Sequence, residues 1–326
     1  MLPGSSARVQ AGSPVKLKSS SMEYICCNLC GADDSELLFT SPDRMFHKNV
    51  MFNVVRCKRC GLIYTNPRPT PEHINDFYPT EEYLPFTNFR NPILRCIKQA
   101  MVRHHVQGMR KLTGSKARIL EVGCGTGEYL SGLRDWGGWD VVGVELSPHA
   151  SKIARERFGL DIITGTLFDA ALPPKAFDIV LMRYVLEHIH NPRETLIEIN
   201  KLLRDKGKFI CCSPNVDSLE ASVLGKYWGG LDIPRHLYHF SPKTLGKLLQ
   251  SAGLQICRIS YSPLPNDWVW SLRYIVEANG SPACLTRTMN AGNILWLALF
   301  APPSTALALI RQSGRIKIIA ERSAVT

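Results

Sequence analysis

Three groups of residues in this chain have types and spacings that could do chemistry. The first is a pair of turns, Cys27-Asn-Leu-Cys30-Gly31 and Cys57-Lys-Arg-Cys60-Gly61, with 26 residues between Cys30 and Cys57. Each turn lets backbone N–H groups point at sulfur, and each glycine is free to take a positive φ. Two such knuckles can close a tetrahedral four-thiolate site for zinc. A closed set of four thiolates leaves no coordination position open, so the expected role of Cys27, Cys30, Cys57 and Cys60 is structural. Cys26 is expected to be a neighbour and not a ligand. The second group is Arg118-Ile-Leu-Glu121-Val-Gly123-Cys-Gly125-Thr-Gly127-Glu-Tyr129, an apolar run leading into alternate glycines. Glycines there let a ligand approach the backbone at the start of a helix. Dinucleotide sites share such a loop. Glu121, however, stands where those sites have an apolar residue, and a carboxylate suits a cationic group such as an amino-acid ammonium. Glu145, at the end of the next apolar run, is placed to accept hydrogen bonds from two ribose hydroxyls. The third group is Glu187-His188 together with Arg235-His236-Leu-Tyr-His239. A histidine of near-neutral pKa can remove a hydroxyl proton. The alternative is that His188 and His236 only tie loops together.

The elements that must position these residues follow from hydrophobic periodicity. Strands are expected at 118–122, 140–145, 160–164, 177–182, 208–212, 254–261 and 315–321. Helices are expected at 91–113, 128–136, 148–158, 192–203 and 241–252, the last capped by Ser241 with Pro242 behind it. Strands alternating with helices of about ten residues mean a parallel sheet covered on both faces. In that fold Glu187, His188 and the 234–240 segment fall on the carboxyl edge, where ligands bind. The chain divides into a disordered tail (1–22) without the apolar core of a signal peptide and a zinc-binding module (23–66). A linker and basic helix (67–114) and a catalytic domain (115–263) come next. An apolar helical insertion (264–314) and a last strand with its tail (315–326) complete it. The linker is Pro- and aromatic-rich, with a short helix near 71–77.

These residues resemble the class I S-adenosylmethionine-dependent methyltransferases. Glu121-Val-Gly-Cys-Gly-Thr-Gly127 matches the first motif of that family at every position. Val142-Gly-Val-Glu145, Phe177-Asp178-Ile-Val180 and Val185-Leu-Glu-His-Ile189 follow in register. The resemblance implies an α/β, Rossmann-like sheet whose last strand is antiparallel, and S-adenosyl-L-methionine as cofactor. It places the cofactor on Glu121, Gly123, Gly125, Gly127, Glu145, Leu146, Thr166, Leu167 and Arg183, with Thr166 or Asp169 near the adenine. Residues 24–83 resemble the zinc-binding N-terminal piece of some bacterial sugar and natural-product methyltransferases, and Tyr78 and Tyr83 are expected either to close over the cofactor or to pack the linker. The chain is expected to have no room for the large C-terminal domain of known sugar C-methyltransferases, which counts against C-methylation of a nucleotide sugar. The resemblance implies O-methylation of a sugar hydroxyl in a glycan, glycolipid or natural product as the expected reaction. A quinone or phenolic lipid is the alternative acceptor. A non-catalytic zinc- and nucleotide-binding scaffold is the rival of another class, which intact Glu121, glycines and Glu145 oppose. The segment also partly resembles the Glu-x-x-Glu-His metal site of small-RNA 2′-O-methyltransferases. Tyr184 replaces its first glutamate, so a divalent metal is the lesser expectation.

The 326 residues carry 39 Lys and Arg against 28 Asp and Glu, a formal charge of +11, with 45% hydrophobic and 21% charged residues. That composition excludes wholesale disorder. Eleven cysteines, an odd number without regular spacing, are a poor disulfide framework and point to a reducing, cytoplasmic setting. Eight Lys and Arg and no acid lie from Pro85 to Arg118, a segment that includes a helix expected to gather Ile93, Leu94, Ile97 and Met101 on one side. The charge is either a solvated helix face or a site for an anionic partner, a phospholipid head group or a nucleotide-sugar diphosphate, which agrees with a small-molecule or lipid-linked sugar substrate. Nucleic acid ranks last, because no aromatic-interleaved RNA-binding motif is present. The uncharged run Ile294–Ile310 is too short to span a bilayer, and Pro302-Pro303 is expected to break it midway. The whole insertion 264–314 is expected to form a lid over the substrate pocket, a homodimer contact or a hairpin lying in the inner face of a membrane with its tryptophans at head-group level.

Overall fold

The computed structural model describes residues 21–46, 48–78 and 92–323. The chain begins with two short strands and a sheet: β1 (Met22–Glu23), β2 (Ser35–Asp43), β3 (Lys48–Cys57), β4 (Ile63–Thr65) and β5 (Arg68–Pro69). Met22 thus belongs to an ordered strand pairing with Pro69, and not to the tail in which the sequence placed it. Ser21 is described and buried as well; residues 1–20 of that tail and Tyr83 lie outside the described residues. Helix α1 (Pro92–Thr113) leads into an alternating series: β6 (Arg118–Val122), α2 (Glu128–Gly137), β7 (Asp140–Glu145), α3 (Pro148–Phe158), β8 (Asp161–Thr164), β9 (Phe177–Arg183), α4 (Pro192–Leu202) and β10 (Leu203–Pro214). Then come α5 (Leu219–Leu224), β11 (Tyr238–His239), α6 (Pro242–Ser251), β12 (Leu254–Tyr261), α7 (Asn266–Ala278), α8 (Ala283–Thr286), α9 (Ile294–Leu309) and β13 (Arg315–Arg322).

Seven strands form one sheet in the order β12-β13-β10-β9-β6-β7-β8. β10, β9, β6, β7 and β8 run parallel, and β13 lies antiparallel to both β10 and β12. The parallel strands are nearly continuous apolar runs because helices cover both faces. Ser241 starts α6 as a capping box with Thr244, accepting from its N–H while the Thr244 hydroxyl accepts from the Ser241 N–H.

The N-terminal sheet is not a separate body. Its order is β11-β4-β3-β2, so Tyr238 and His239 of the catalytic half supply one of its strands. Cys27, Val55, Cys57, Leu62 and Tyr64 share one apolar core with Leu120, Val180, Leu237 and Phe240. Arg235, fully buried, donates two bonds to the Asp43 carboxylate at 2.9 and 3.0 Å, two to Asp232 at 2.6 and 2.9 Å, and one to Phe77 O at 2.9 Å.

Two helices depart from expectation. In α1 the buried residues are Leu94, Val102, Val106 and Met109, while Ile93, Ile97 and Met101 are mostly exposed. Part of its charge is used internally. Arg110 donates to Trp136 O at 2.9 Å at the end of α2, a favourable place for a cation, and Arg103 lies over the Trp136 ring. In α9 the proline pair does not break the helix. Two backbone bonds are forgone, and the Thr305 hydroxyl donates to Ala301 O at 2.8 Å across the same turn. Among the described residues, no helix is long and apolar enough to cross a membrane.

Candidate active site and cysteine cluster

β6 delivers its three glycines in the left-handed region, at φ +70°, +56° and +76° for Gly123, Gly125 and Gly127. Two are closed in by packing. A Cβ at Gly123 would meet Val185 Cγ2 at 2.5 Å, and one at Gly127 would meet Leu160 Cδ1 at 2.5 Å. Gly125 faces open space, with nothing within 4 Å of a Cβ, and is the point where a ligand can reach the loop. Glu145 at the end of β7 braces this loop. Its Oε2 accepts from Gly125 N at 2.7 Å and its Oε1 from Ser147 N at 2.9 Å. Each oxygen keeps a lone pair for a hydroxyl. Glu121 is buried, and burial raises its pKa to about 7, although Arg183 pulls it back. Arg183 lies 3.7 Å from Glu121 Oε1 and 3.6 Å over the Tyr129 ring. Glu121 Oε2 has no hydrogen-bond partner, which suits a cationic ligand group.

Leu146 and the turn after β8 lie side by side, because β7 and β8 are paired. Leu146 is exposed and offers an apolar face beside Glu145. Phe168, which the sequence reading passed over, is exposed as well. Thr166 and Asp169 close their own turn: Asp169 Oδ2 accepts from Thr166 N at 2.8 Å and from its hydroxyl at 2.6 Å. The Leu167 side chain packs into the main core, so it has only its backbone to offer a ligand.

On the acid–base side, His188 Nδ1 is 3.0 Å from Arg235 O, which can only accept. The proton therefore sits on Nδ1, Tyr78 Oη accepts a share of it at 3.0 Å, and Nε2 keeps a bare lone pair. His236 is locked the same way, Nδ1 donating to Gly230 O at 2.9 Å. The two rings meet edge to face with centroids 4.6 Å apart. Burial depresses the pKa of both, and that of His239 to about 4. Glu187 is buried with no hydrogen-bond partner on either oxygen, and burial raises its pKa to about 8. Burial opposes ionisation of Asp232 as well, but Arg235 and His236 override it and hold that carboxyl at about 2. Glu187, His188 and His236 present ligand atoms within 4.8 Å of one another, a set that could hold a divalent cation; His239 is outside it. Neither Asp43 nor Asp232 was legible as a partner of this site. Asp43 lies 192 residues from the arginine it pairs with.

The four cysteines predicted as ligands are brought together, all Sγ atoms within 4.8 Å of one another. Cys27 Sγ is 3.5 Å from Cys60 Sγ, and Cys30 Sγ is 3.5 Å from Cys57 Sγ. Both knuckles have the expected form. Gly31 N donates to Cys27 O and Gly61 N to Cys57 O, at φ +72° and +84°. Cys26 is exposed and outside the cluster.

A family model described as "Methyltransferase domain" matches residues 97–259, half of the chain. The chain belongs to this methyltransferase family, and it is a methyltransferase that uses S-adenosylmethionine. Among its relatives is a ubiquinone biosynthesis O-methyltransferase of Cereibacter sphaeroides. It is 31% identical over 167 residues, which are 48% of this chain and 67% of that protein. A protein of the same name from Azoarcus sp. is 28% identical over 53% of this chain and 81% of its own length. Among solved structures, a SAM-dependent methyltransferase from Archaeoglobus fulgidus aligns over 69% of this chain and 94% of its own. Its identity is 19% and its TM-score 0.47.

Proposed function

We propose that this methyltransferase acts on a hydroxyl group and that His188 is the base that takes its proton. The observation that carries the reading is the bare Nε2 of His188, fixed by its Nδ1–H bond to Arg235 O. It lies three residues after Val185, whose side chain abuts Gly123 of the glycine loop. Glu121, Gly125, Glu145 and Leu146 would hold S-adenosylmethionine, which supplies an electrophilic methyl group when bound. Gly125 admits the ligand to the backbone, Glu145 would accept from the ribose hydroxyls, and Glu121 would face the ammonium. Such positioning supplies much of the rate of a direct displacement. His188 would take the hydroxyl proton on Nε2, and Arg235 O would stabilise the imidazolium through Nδ1–H.

A phenolic hydroxyl, as in a quinone precursor or phenolic lipid, is the acceptor best supported. Burial makes the His188 imidazole a weak base, and a phenol, with a pKa of about 10, yields its proton to such a base more easily than the less acidic hydroxyl of a sugar does. The named activity of the relatives that share the catalytic half agrees with it. A sugar hydroxyl is the second reading, favoured by the likeness of the cysteine module, which shares a core with Leu186 and Leu237, to that of sugar methyltransferases. Incubation with methyl-labelled S-adenosylmethionine and either a catechol or a nucleotide sugar separates them. Label in the catechol, lost in His188→Ala, is expected. Label in the sugar alone selects the second reading, and label on carbon or nitrogen refutes O-methylation.

We also propose that Cys27, Cys30, Cys57 and Cys60 hold a structural zinc. The 3.5 Å sulfur separations are close to the roughly 3.8 Å edge of a tetrahedron with zinc–sulfur bonds of about 2.3 Å. Elemental analysis of protein purified without chelator should find one zinc per chain; none would refute the assignment.

A further inference from the structure

Helix α9 carries no charged side chain on any face. One seam packs on α7: Ser304 and Leu307 are buried, and Phe300 stacks on Trp268 at 5.8 Å and on Trp296 at 6.5 Å. Trp296, one of the tryptophans expected at head-group level, takes part in this contact. The outer face is different. Leu295, Leu299 and Leu309 stand 76%, 60% and 80% exposed, and Ile310 extends the strip at 63%. A helix side turned to water normally bears charge, and a continuous apolar strip of this kind marks a contact surface.

Charge says what covers it. Between Glu277 and Glu321 the chain has no acidic residue. Exposed Arg287 and Arg311 flank the two ends of the helix, the first beside Thr288, whose backbone carbonyl accepts from Asn293 Nδ2 at the helix start. In a two-fold contact with a second copy this acid-free strip would face itself, bringing arginines together without carboxylates. An anionic lipid surface supplies the missing negative charge. The 16 residues of α9 measure about 24 Å, too short to cross a bilayer, so the helix would lie in the plane of the interface. We infer that the outer face of α9, with Arg287 and Arg311, docks the protein onto an anionic membrane surface. This inference stands independently of the acceptor.

Flotation with phosphatidylcholine vesicles, with and without about a third phosphatidylglycerol, tests it. The wild type should float with the anionic vesicles, and less so at high salt. Leu299→Glu with Leu309→Glu should abolish flotation, and Arg287→Gln with Arg311→Gln should weaken partition about fivefold per arginine. Both variants should keep the wild-type melting temperature and affinity for S-adenosylmethionine. Wild-type protein that stays unbound at low salt overturns the inference, as does leucine-variant protein that floats like wild type. A wild-type dimer in sedimentation, lost in the leucine variant and accompanied by no flotation, assigns the strip to a second copy and overturns it too.

Discussion

Asp43→Ala tests whether the cysteine module and the catalytic half are one cooperative unit. Arg235 makes five polar contacts, and Asp43 accepts two of them, with both side chains fully buried. A hydrogen bond to a charged group contributes about 1.5–3 kcal/mol, so the gross loss is about 3–6 kcal/mol. Asp232 remains as a counter-charge, so the guanidinium is not left bare and the net loss should lie at the low end, about 3 kcal/mol. That is a large part of an ordinary folding free energy of about 5–15 kcal/mol. Urea unfolding followed by tryptophan fluorescence should show one transition in both proteins, with a lower midpoint and an unchanged slope in the variant. Because Arg235 also presents the carbonyl that orients His188, methyl transfer should fall while affinity for S-adenosylmethionine holds. The control is Asp34→Ala, which removes an exposed pair with Lys58 and should leave the midpoint in place. A loss under about 1 kcal/mol in Asp43→Ala, or a separate early transition of the N-terminal sheet in the wild type, would refute the argument.

Glu145→Ala should weaken S-adenosylmethionine binding by about 1–3 kcal/mol in calorimetry, the cost of losing hydrogen bonds to a charged acceptor. Cys57→Ser should lower zinc content and also the melting temperature of the whole protein, because the cysteine knuckles share their core with the catalytic sheet. His239 has a folded pKa of about 4 against 6.5 when free. The unfolded chain therefore binds more protons between these values, and stability should rise with pH across that window. Acidification from pH 6.5 to 4 should cost about 3 kcal/mol from this group, and His239→Gln should flatten that part of the stability–pH curve.

The parallel sheet was legible because its strands are apolar runs punctuated by glycine turns, and β6 and β7 begin and end where the pattern places them. The cysteine cluster and the glycine loop were legible because their ligating or cradling residues are close in sequence. What failed to show were relations across long separations. β11 is two residues long and carries no strand signal; it exists because Ile63 and Tyr64 offer an edge to pair with. The buried Asp43–Arg235 pair looks, in sequence, like two ordinary surface charges. The inward turn of the Leu167 side chain was hidden for a related reason: the motif fixes the loop after β8, but only packing decides which of its side chains points to the core. The exposed strip of α9 was hidden because a helix apolar all round gives no periodicity to orient it.

Calorimetric titration of S-adenosylmethionine into wild-type protein and into Gly125→Val is the most direct test of the central claim. Gly125 is the one glycine of the loop with open space before it, so a branched side chain would occupy the ligand's approach to the backbone. The account predicts saturable one-to-one binding to the wild type and none to a variant that still melts cooperatively. Absence of binding to the wild type, or equal affinity in the variant, would contradict it.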